Sequence, residues 1–306
     1  MRAVWSFWTT PFRSHHKHVW LTERHHLLAW VLSVETAKRH YADTALYTDE
    51  EGARLLVDGL GLEFAHVSTE LTALECAHPE WWVMGKLWTY RAQRQPFVHI
   101  DSDVFLWQRL PVCLERSGVF AQNPETFAFG DEAWYRPVRY DEAIRRLGGW
   151  APCEWRAGVA QRLNNAVCCG IVGGQAVDFL AYYADLAIRM IRCGENQGIW
   201  AHVGSPISDN ILIEQYLLAA CVEYHRGRAR SPFRNIDLEY LFQSAEEAFD
   251  EAAAARVGYT HLIGGAKGNP ALLDRLERRV RREHPHLYDR CVRVAAGDVT
   301  TSASAR

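Results

Sequence analysis

Two aspartates separated by one serine, Asp101 and Asp103, follow the apolar segment 97–100. Carboxylates that leave a strand together can bind one divalent cation, because such cations prefer oxygen ligands. The alternative is a strand that has reached solvent, since Asp-x-Asp triplets arise by chance in many sequences. The pair therefore indicates a metal site only if other residues support it.

A second group of reactive side chains lies far along the chain, where His261, Gly264 and Lys267 form the pattern H-x-x-G-x-x-K. A histidine can complete a metal site, glycine permits close approach to the backbone, and lysine can neutralise a phosphate group. Neither group is specific alone, but together they predict a site for a cation and a phosphate.

These residues need a framework that brings distant parts of the chain together, and the first half of the sequence alternates strand-like and helix-like segments. Strands are predicted at 3–8, 44–48, 62–67 and 97–100, and helices at 27–41, 50–60 and 81–93. This order predicts an α/β fold with a mainly parallel sheet covered by helices. Ligands of such sheets gather at the carboxyl ends of the strands, where Asp101 and Asp103 fall.

The second half has a less regular pattern. Strands are predicted at 118–122 and 164–174, a helix at 176–192, and a helix start at Asp209, which would be its N-cap. We expect acceptor contacts in the irregular region 130–162, because loops carry few packing demands.

Composition narrows the class of protein. The 306 residues are 48% hydrophobic with a formal net charge of −3, which indicates a folded chain and gives no electrostatic reason to expect a nucleic-acid partner. The eight cysteines lack C-x-x-C spacing and are expected to be reduced thiols of a cytoplasmic protein. No apolar run is long enough to span a bilayer. Some of the 12 tryptophans could stack on a base or a sugar ring, although packing accounts for most of them.

The alternating N-terminal half that ends in the D-x-D, together with the late H-x-x-G-x-x-K, resembles the GT-A fold glycosyltransferases. The closest resemblance is to the retaining branch that includes glycogenin and the bacterial lipopolysaccharide galactosyltransferases, and it covers about residues 1–290. The chain also resembles an uncharacterised group of bacterial proteins that share its WSFW start, its HIDSDVFLW core and its late THL segment, a likeness that implies no activity.

The resemblance implies a GT-A (Rossmann-like) fold in a single domain, 1–294. Its nucleotide-binding half would be about 1–110 and its acceptor and sugar half about 111–294, with a disordered tail at 295–306. It also implies Mn²⁺ (or Mg²⁺) held by Asp101, Asp103 and His261 between the phosphates of a UDP-sugar.

Further roles follow from the resemblance. It implies that the nucleotide-sugar is bound by Thr9, Lys86, Asp101, Ser102, Asn165, Gly174, Asn210, Gly264 and Lys267. Asp209 and Glu214 are the catalytic candidates, as electrostatic support or as nucleophile beneath the anomeric carbon. Two departures from the family are Gly268 and Asn269, which stand where it usually has Pro-Trp. The first strand is only loosely like the family's, which leaves UDP open as the nucleotide.

The expected activity is transfer of a sugar from a nucleotide-sugar to a soluble acceptor, with retention: a hexosyltransferase whose acceptor is a small molecule, peptide or oligosaccharide. The cation and Lys267 would stabilise the leaving diphosphate. Two alternatives stay open, a nucleotide-sugar hydrolase or pyrophosphate-cleaving enzyme and a non-catalytic sugar-nucleotide-binding protein.

Overall fold

The structure is a computed structural model that describes residues 1–14, 19–129, 134–203 and 206–297. Its strands in chain order are β1 (Arg2–Phe7), β2 (Thr44–Thr48), β3 (His66–Ser68), β4 (Phe97–Ile100), β5 (Val104–Leu106), β6 (Val119–Thr126), β7 (Asn165–Gly174), β8 (Leu238–Tyr240) and β9 (Tyr259–His261). Within the described residues, seven of these strands form one sheet in the order β3-β2-β1-β4-β7-β6-β8. The strands β1 to β4 are parallel, β6 and β8 are parallel to each other, and β7 runs antiparallel to both of its neighbours.

A small second sheet joins the two halves of the chain. The strand β5 pairs antiparallel with β9, and Val104 lies opposite His261 in the register. This pairing is what connects the turn after β4 to the late glycine-rich segment.

Helices surround the large sheet. They are α1 (Thr9–Ser14), α2 (Glu23–Lys38), α3 (Glu50–Ala53), α4 (Val83–Ala92), α5 (Val112–Arg116), α6 (Pro137–Leu147), α7 (Cys153–Ala160), α8 (Val177–Arg192), α9 (Gln197–Val203), α10 (Pro206–Ile211), α11 (Leu217–His225), α12 (Ala245–Phe249), α13 (Glu251–Val257), α14 (Pro270–Glu283) and α15 (Pro285–Ala295). A π-helical turn, Leu212–Tyr216, links α10 to α11.

The core lies on both faces of the sheet, because successive strand residues point to opposite sides. Val4 packs with α4, α8 and α11 on one face, whereas Ala3 and Trp5 pack with α2, α14 and α15 on the other. The outer helices are amphipathic, as α14 illustrates: Leu273 and Val280 are buried while its arginines face outward. The result is a three-layer α/β arrangement with a mostly parallel sheet, as the sequence predicts.

The first-half predictions are confirmed for the order and type of the elements. The predicted bounds of β2 and β4 match the structure, whereas the third strand is shorter than predicted. The reason is local: after Gly61, whose φ is +74°, the backbone N–H of Leu62 donates to Leu56 O and closes the preceding helix. Residues up to Leu62 therefore end a helix rather than begin a strand.

The second half contains more helix than the sequence indicates. The region 130–162 was expected to be irregular, but α6 and α7 lie in it, with Tyr140, Ile144 and Trp155 buried at helical positions. Residues 130–133 lie outside the described residues. The predicted N-cap role of Asp209 is wrong, because α10 begins at Pro206 and places Asp209 in its first turn.

Both predicted strands of this half are present: β7 matches its predicted range to within one residue, whereas β6 extends further than predicted. The strand β6 reaches Thr126, where it pairs with Asn165 of β7. The disordered tail expected at 295–306 begins too early, because Ala295 belongs to the last helix; residues 298–306 lie outside the described residues. In the part of the chain that the structure describes, no helix has the length and apolar character to cross a membrane.

Candidate metal and phosphate site

The turn after β4 presents the two aspartates at the carboxyl edge of the sheet. The backbone N–H of Asp101 donates to Gly170 O of β7 at 3.0 Å, and its carbonyl accepts from Val104 N at 3.0 Å. The hydroxyl of Ser33 on α2 donates to the same carbonyl at 3.1 Å. These bonds fix the backbone that carries Asp101, so the position of its carboxylate is set by the sheet and not by a loose loop.

The pairing of β5 with β9 brings the late motif to this turn. Leu262 N donates to Asp103 O at 2.9 Å, directly after His261 in the chain. One ligand atom from each of Asp101, Asp103 and His261 lies within 4.8 Å of the other two. The three residues predicted from the sequence as metal ligands therefore converge.

The imidazole of His261 is oriented from behind by a buried amide. Its Nδ1 lies 2.8 Å from Oε1 of Gln122, which also accepts a hydrogen bond from the Tyr259 hydroxyl at 2.6 Å. With the amide oxygen as the acceptor, Nδ1 carries the proton of the neutral ring, which leaves Nε2 with its lone pair. Nε2 lies 3.6 Å from Asp103 Oδ1, on the side of the carboxylates. This is the arrangement of a histidine that is ready to bind a cation.

A glycine makes room for this pair of side chains. A Cβ atom on Gly170 would lie 2.3 Å from Gln122 Oε1 and 2.6 Å from His261 Nδ1. Real Cβ atoms do not approach polar atoms that closely, so any side chain at position 170 would displace the pair.

Lys267 contributes the positive charge predicted for a phosphate. Its Nζ lies 2.6 Å from Asp103 Oδ2 and 5.8 Å from the centre of the Trp20 ring. Burial would raise the pKa of the Asp103 carboxyl, but the charge of Lys267 outweighs it, with a smaller contribution from His261 in its protonated form, and holds that pKa well below its usual range. Asp103 is therefore ionised at neutral pH.

Lys86 provides a second buried positive charge, on the other side of Asp101. Its Nζ lies 3.0 Å from Asp101 Oδ1, 2.7 Å from Glu214 Oε1 and 3.1 Å from Cys169 O. Burial disfavours a charged lysine, yet the two carboxylates hold the pKa of Lys86 above its usual range. Burial raises the pKa of the Asp101 carboxyl to about 6, an effect that Lys86 partly offsets and that the charges of Asp103 and Glu214 increase.

The donor set suits a divalent cation. Two carboxylates and one imidazole are hard and intermediate ligands that fit Mn²⁺ well and Mg²⁺ less well, since Mg²⁺ prefers oxygen alone. The Nε2 atom of His261 and the nearer carboxylate oxygen of Asp103 lie 3.6 Å apart, close enough to bind the same ion. The arrangement can thus hold a cation with Lys267 and Lys86 beside it.

Two other residues that the sequence singles out are not brought to the cluster formed by Asp101, Asp103, His261 and Lys267. Asn165 lies at the start of β7, five residues before Gly170 and roughly 16 Å away along the strand. Its amide donates to the Tyr240 hydroxyl at 3.4 Å. Gly174 lies at the opposite end, where it pairs with Phe97, and a Cβ there would meet Gly118 O at 2.1 Å. The close packing of the strands explains why position 174 is a glycine.

Thr9 and Ser102 lie at the same edge of the sheet as the cluster. The backbone N–H and the hydroxyl of Thr9 both donate to Asp49 Oδ2, at 2.8 and 2.6 Å, so this carboxylate ties β1 to β2. Ser102 is half-buried in the turn between the two aspartates. Gly264 is the first residue of the short helix Gly264–Gly268 that carries Lys267, and its φ of +52° is a backbone conformation that favours glycine.

The catalytic candidates of the sequence occupy two different places. Glu214 is buried behind Lys86, where its Oε1 also accepts from the Tyr90 hydroxyl at 2.9 Å and its Oε2 has no hydrogen-bond partner among the described residues. Asp209 accepts a hydrogen bond from the Tyr140 hydroxyl and lines a cavity of about 370 Å³.

Asn210 braces the edge of that cavity. Its Oδ1 accepts from Val83 N at 2.9 Å and its Nδ2 donates to Glu80 O at 2.7 Å. The side chain therefore holds the start of α4, which is the role of an N-cap supplied by another helix.

Sequence reasoning missed two residues of the cluster, Gln122 and Gly170. A single glutamine in a predicted strand gives no signal that it supports a ligand. Gly170 carries a weak signal, because a glycine within a strand marks a close approach of other groups.

A scan against family models decides the family of this chain. One model matches residues 1–294, which is nearly the whole chain. The chain belongs to DUF6734. This family is described as one of unknown function. A search of the curated proteins finds no match. Membership of DUF6734 therefore names no activity, and any function has to be argued from the geometry of the site.

Proposed function

We propose that this DUF6734 protein is a metal-dependent glycosyltransferase, a hexosyltransferase that uses a nucleotide-sugar, with a UDP-sugar as the preferred donor. The observation that carries the proposal is the convergence of Asp101, Asp103, His261 and Lys267 at one edge of a mostly parallel sheet. A cation held by two carboxylates and an imidazole, with a lysine beside it, is a binding site for a diphosphate.

The fold supports this reading. Four parallel strands lead to the D-x-D, one antiparallel strand lies next to it, and a small second sheet returns the late histidine. This layout is compatible with the GT-A fold that the motifs resemble.

Manganese is the cation that the donor set favours, with magnesium as the alternative. Asp101, Asp103 and His261 would hold it, and when bound it would stabilise negative charge on the leaving diphosphate. Gln122 would keep His261 in the tautomer that can bind.

The protein's own charges supply the rest of the leaving-group stabilisation. Lys267 extends from a short glycine-flanked helix and is about one-fifth exposed, so its Nζ can exchange Asp103 for a phosphate oxygen. Lys86 is fixed between Asp101 and Glu214 and adds a permanent positive charge behind the site. Both charges act where negative charge develops as the sugar–phosphate bond breaks.

The sugar would lie on the side of Asp209. Asn210 and Glu214 are four residues apart on one helical segment, and they contact Val83 and Lys86 of α4 respectively. The cavity lined by Asp209 and Asn210 is thus about one helical turn from the Lys86–Glu214 pair, which lies behind Asp101. Asp209, whose Oδ1 lies 3.7 Å from Arg136 Nη2, would support a positively charged sugar, whereas Glu214 would act through Lys86 as a positioning residue. With retention of configuration, the leaving phosphate itself can accept the proton of the acceptor hydroxyl.

A turnover assay tests the proposal. The protein is incubated with UDP-glucose, UDP-galactose or UDP-N-acetylglucosamine, with Mn²⁺ or with EDTA, and with or without a mixture of oligosaccharide acceptors. Metal-dependent release of UDP with formation of a glycosylated acceptor is expected for at least one donor.

Two results would contradict the proposal. Free sugar released over many turnovers without an acceptor would identify a hydrolase. Metal-dependent binding of the nucleotide-sugars, measured as an increase in melting temperature, without any turnover would identify a non-catalytic binding protein.

A further inference from the structure

A groove runs away from the Asp209 cavity along the loop that precedes α4. The first cavity, of about 370 Å³, is lined by residues of this loop together with α9 and α10. A second cavity, of about 270 Å³, continues along the loop toward the end of α8. His78, Trp81 and Gln197 line both cavities, so the two form one continuous groove. Each cavity is close to the lower size limit of ligand sites in proteins, and together they fall within that range.

Indole rings form the apolar part of the wall. The ring centres of Trp81 and Trp200 are 5.0 Å apart and the rings meet edge to face at 75°. Trp81 is half-buried, and it lines both the first cavity and the second. A ring in this position offers a flat apolar surface to a ligand that passes from one cavity to the other.

Polar side chains form the other part of the wall. His78, Glu80 and Gln197 are exposed, and their polar ends offer both donors and acceptors. His78 Nδ1 lies 3.8 Å from Glu80 Oε2 and accepts from Glu80 N at 3.4 Å, so the two side chains are held by the loop itself.

The loop is braced at its end. Asn210 holds Glu80 O and Val83 N, so the segment that presents Trp81 is fixed at the start of α4. A braced loop loses little conformational freedom when a ligand binds.

The charges of the groove favour a neutral occupant. Its described lining carries the carboxylates of Glu80 and Asp209, of which Asp209 Oδ1 lies 3.7 Å from Arg136 Nη2, while Arg192 supplies a positive charge at the far end. The described lining at the end nearest the cluster therefore carries no net positive charge that would bind a phosphate or a nucleotide. A neutral polyhydroxylated molecule fits both halves of the wall, because a sugar ring presents apolar C–H faces to an indole and hydroxyl groups to polar side chains.

We propose that this groove binds a neutral oligosaccharide, which passes over Trp81 and has its terminal sugar near Asp209. The assignment of this oligosaccharide as the acceptor rests on the proposed function. The binding itself does not, since none of the groove residues belongs to the metal cluster.

Isothermal titration without metal or nucleotide tests the groove. The probes are maltotriose, cellotriose, lactotriose and chitotriose. At least one should bind, and Trp81→Ala should weaken that binding by about tenfold or more, as expected for a buried aromatic contact. Trp81→Phe should restore part of the affinity.

Matched variants separate the groove from general effects on folding. Gln197→Ala changes an exposed side chain of the groove and should also weaken binding. Trp88→Ala removes a half-buried indole that lies on α4 and outside the groove, and it should leave oligosaccharide binding unchanged. Asp103→Ala should also leave oligosaccharide binding unchanged.

The outcomes distinguish the two proposals. If none of the four oligosaccharides binds, or if Trp81→Ala and Gln197→Ala both bind like the unaltered protein, the groove assignment is wrong. Oligosaccharide binding in a protein that fails the turnover assay would leave the groove standing and refute the transferase. Turnover in a protein that binds none of the four oligosaccharides would support the transferase and refute the groove assignment.

Discussion

The support of His261 by Gln122 gives the sharpest prediction. Replacing Gln122 by leucine keeps the approximate volume of the side chain but removes the oxygen that accepts from Nδ1, 2.8 Å away. The imidazole then has a buried N–H without a partner, and nothing selects the tautomer with a free lone pair on Nε2. We therefore expect Gln122→Leu to weaken Mn²⁺ binding while all three ligands are still present.

The magnitude follows from the kind of contact. Loss of a hydrogen-bond partner that orients a metal ligand costs about 10- to 100-fold in metal affinity. This corresponds to about 1.4 to 2.7 kcal/mol of binding free energy. It is also the range expected when a buried donor is left unsatisfied, about 1 to 3 kcal/mol.

Titration of Mn²⁺ followed by its electron paramagnetic resonance signal measures the effect. Tyr259→Phe is the matched control, because it removes the second hydrogen bond to Gln122 Oε1 but keeps the bond to His261. Its effect should be smaller than that of Gln122→Leu. If Gln122→Leu binds Mn²⁺ as tightly as the unaltered protein, the assigned tautomer and the role of His261 as a ligand are both wrong.

Three further predictions concern the same cluster. Gly170→Ala should weaken Mn²⁺ binding, because its Cβ would displace the Gln122 side chain that supports His261. Gly265→Ala, where a Cβ would meet open space, should leave Mn²⁺ binding unchanged. Equal affinities of the two variants in a Mn²⁺ titration would refute the steric argument. Glu214→Gln should lower the free energy of unfolding in urea by about 2 to 3 kcal/mol, because buried Lys86 loses one of its two counter-charges. An unchanged midpoint of the urea unfolding curve would show that the Lys86–Glu214 pair adds no stability. Burial raises the pKa of the Asp101 carboxyl to about 6. Protons should therefore compete with Mn²⁺, and the affinity of the protein for Mn²⁺ should fall as the pH drops from 7 to 5. An affinity that is constant over this range would contradict the role of Asp101 as a metal ligand.

Local sequence signals were enough to predict the sheet edge that carries the site. Short apolar segments such as 44–48 and 97–100 are bounded by polar residues, and a parallel order places their carboxyl ends together. The D-x-D therefore had a predictable location. The convergence with His261 depended on the resemblance to a family, because the pairing of β5 with β9 joins residues about 160 positions apart and leaves no local signal.

The failures of prediction also have physical causes. Gln122 supports the site through tertiary contact alone, so its residue type is uninformative in the sequence. The helix α6 was missed although its buried residues Tyr140, Ala143 and Ile144 follow helical spacing, and α7 was missed because its eight residues carry little periodic signal. Asp209 is a good N-cap by type, but α10 begins earlier and the side chain faces Tyr140 instead.

Lys86 shows which properties of a site residue can be predicted from the sequence. Lys86 was expected to contact the nucleotide-sugar, and the structure places it in reach of Asp101 but enclosed by Glu214 and Cys169 O. Its residue type was informative, whereas its degree of burial depends on packing that only the folded chain determines.

The most direct measurement of the central claim is the affinity for UDP with Mn²⁺ and with EDTA, determined by isothermal titration. We expect tight binding that requires the metal, and its loss in both Asp103→Ala and His261→Ala. Asp178→Ala, which removes an exposed carboxylate far along the chain from the motifs, should behave like the unaltered protein. Metal-dependent binding of UDP that survives both Asp103→Ala and His261→Ala would contradict the metal site on which the proposed function depends.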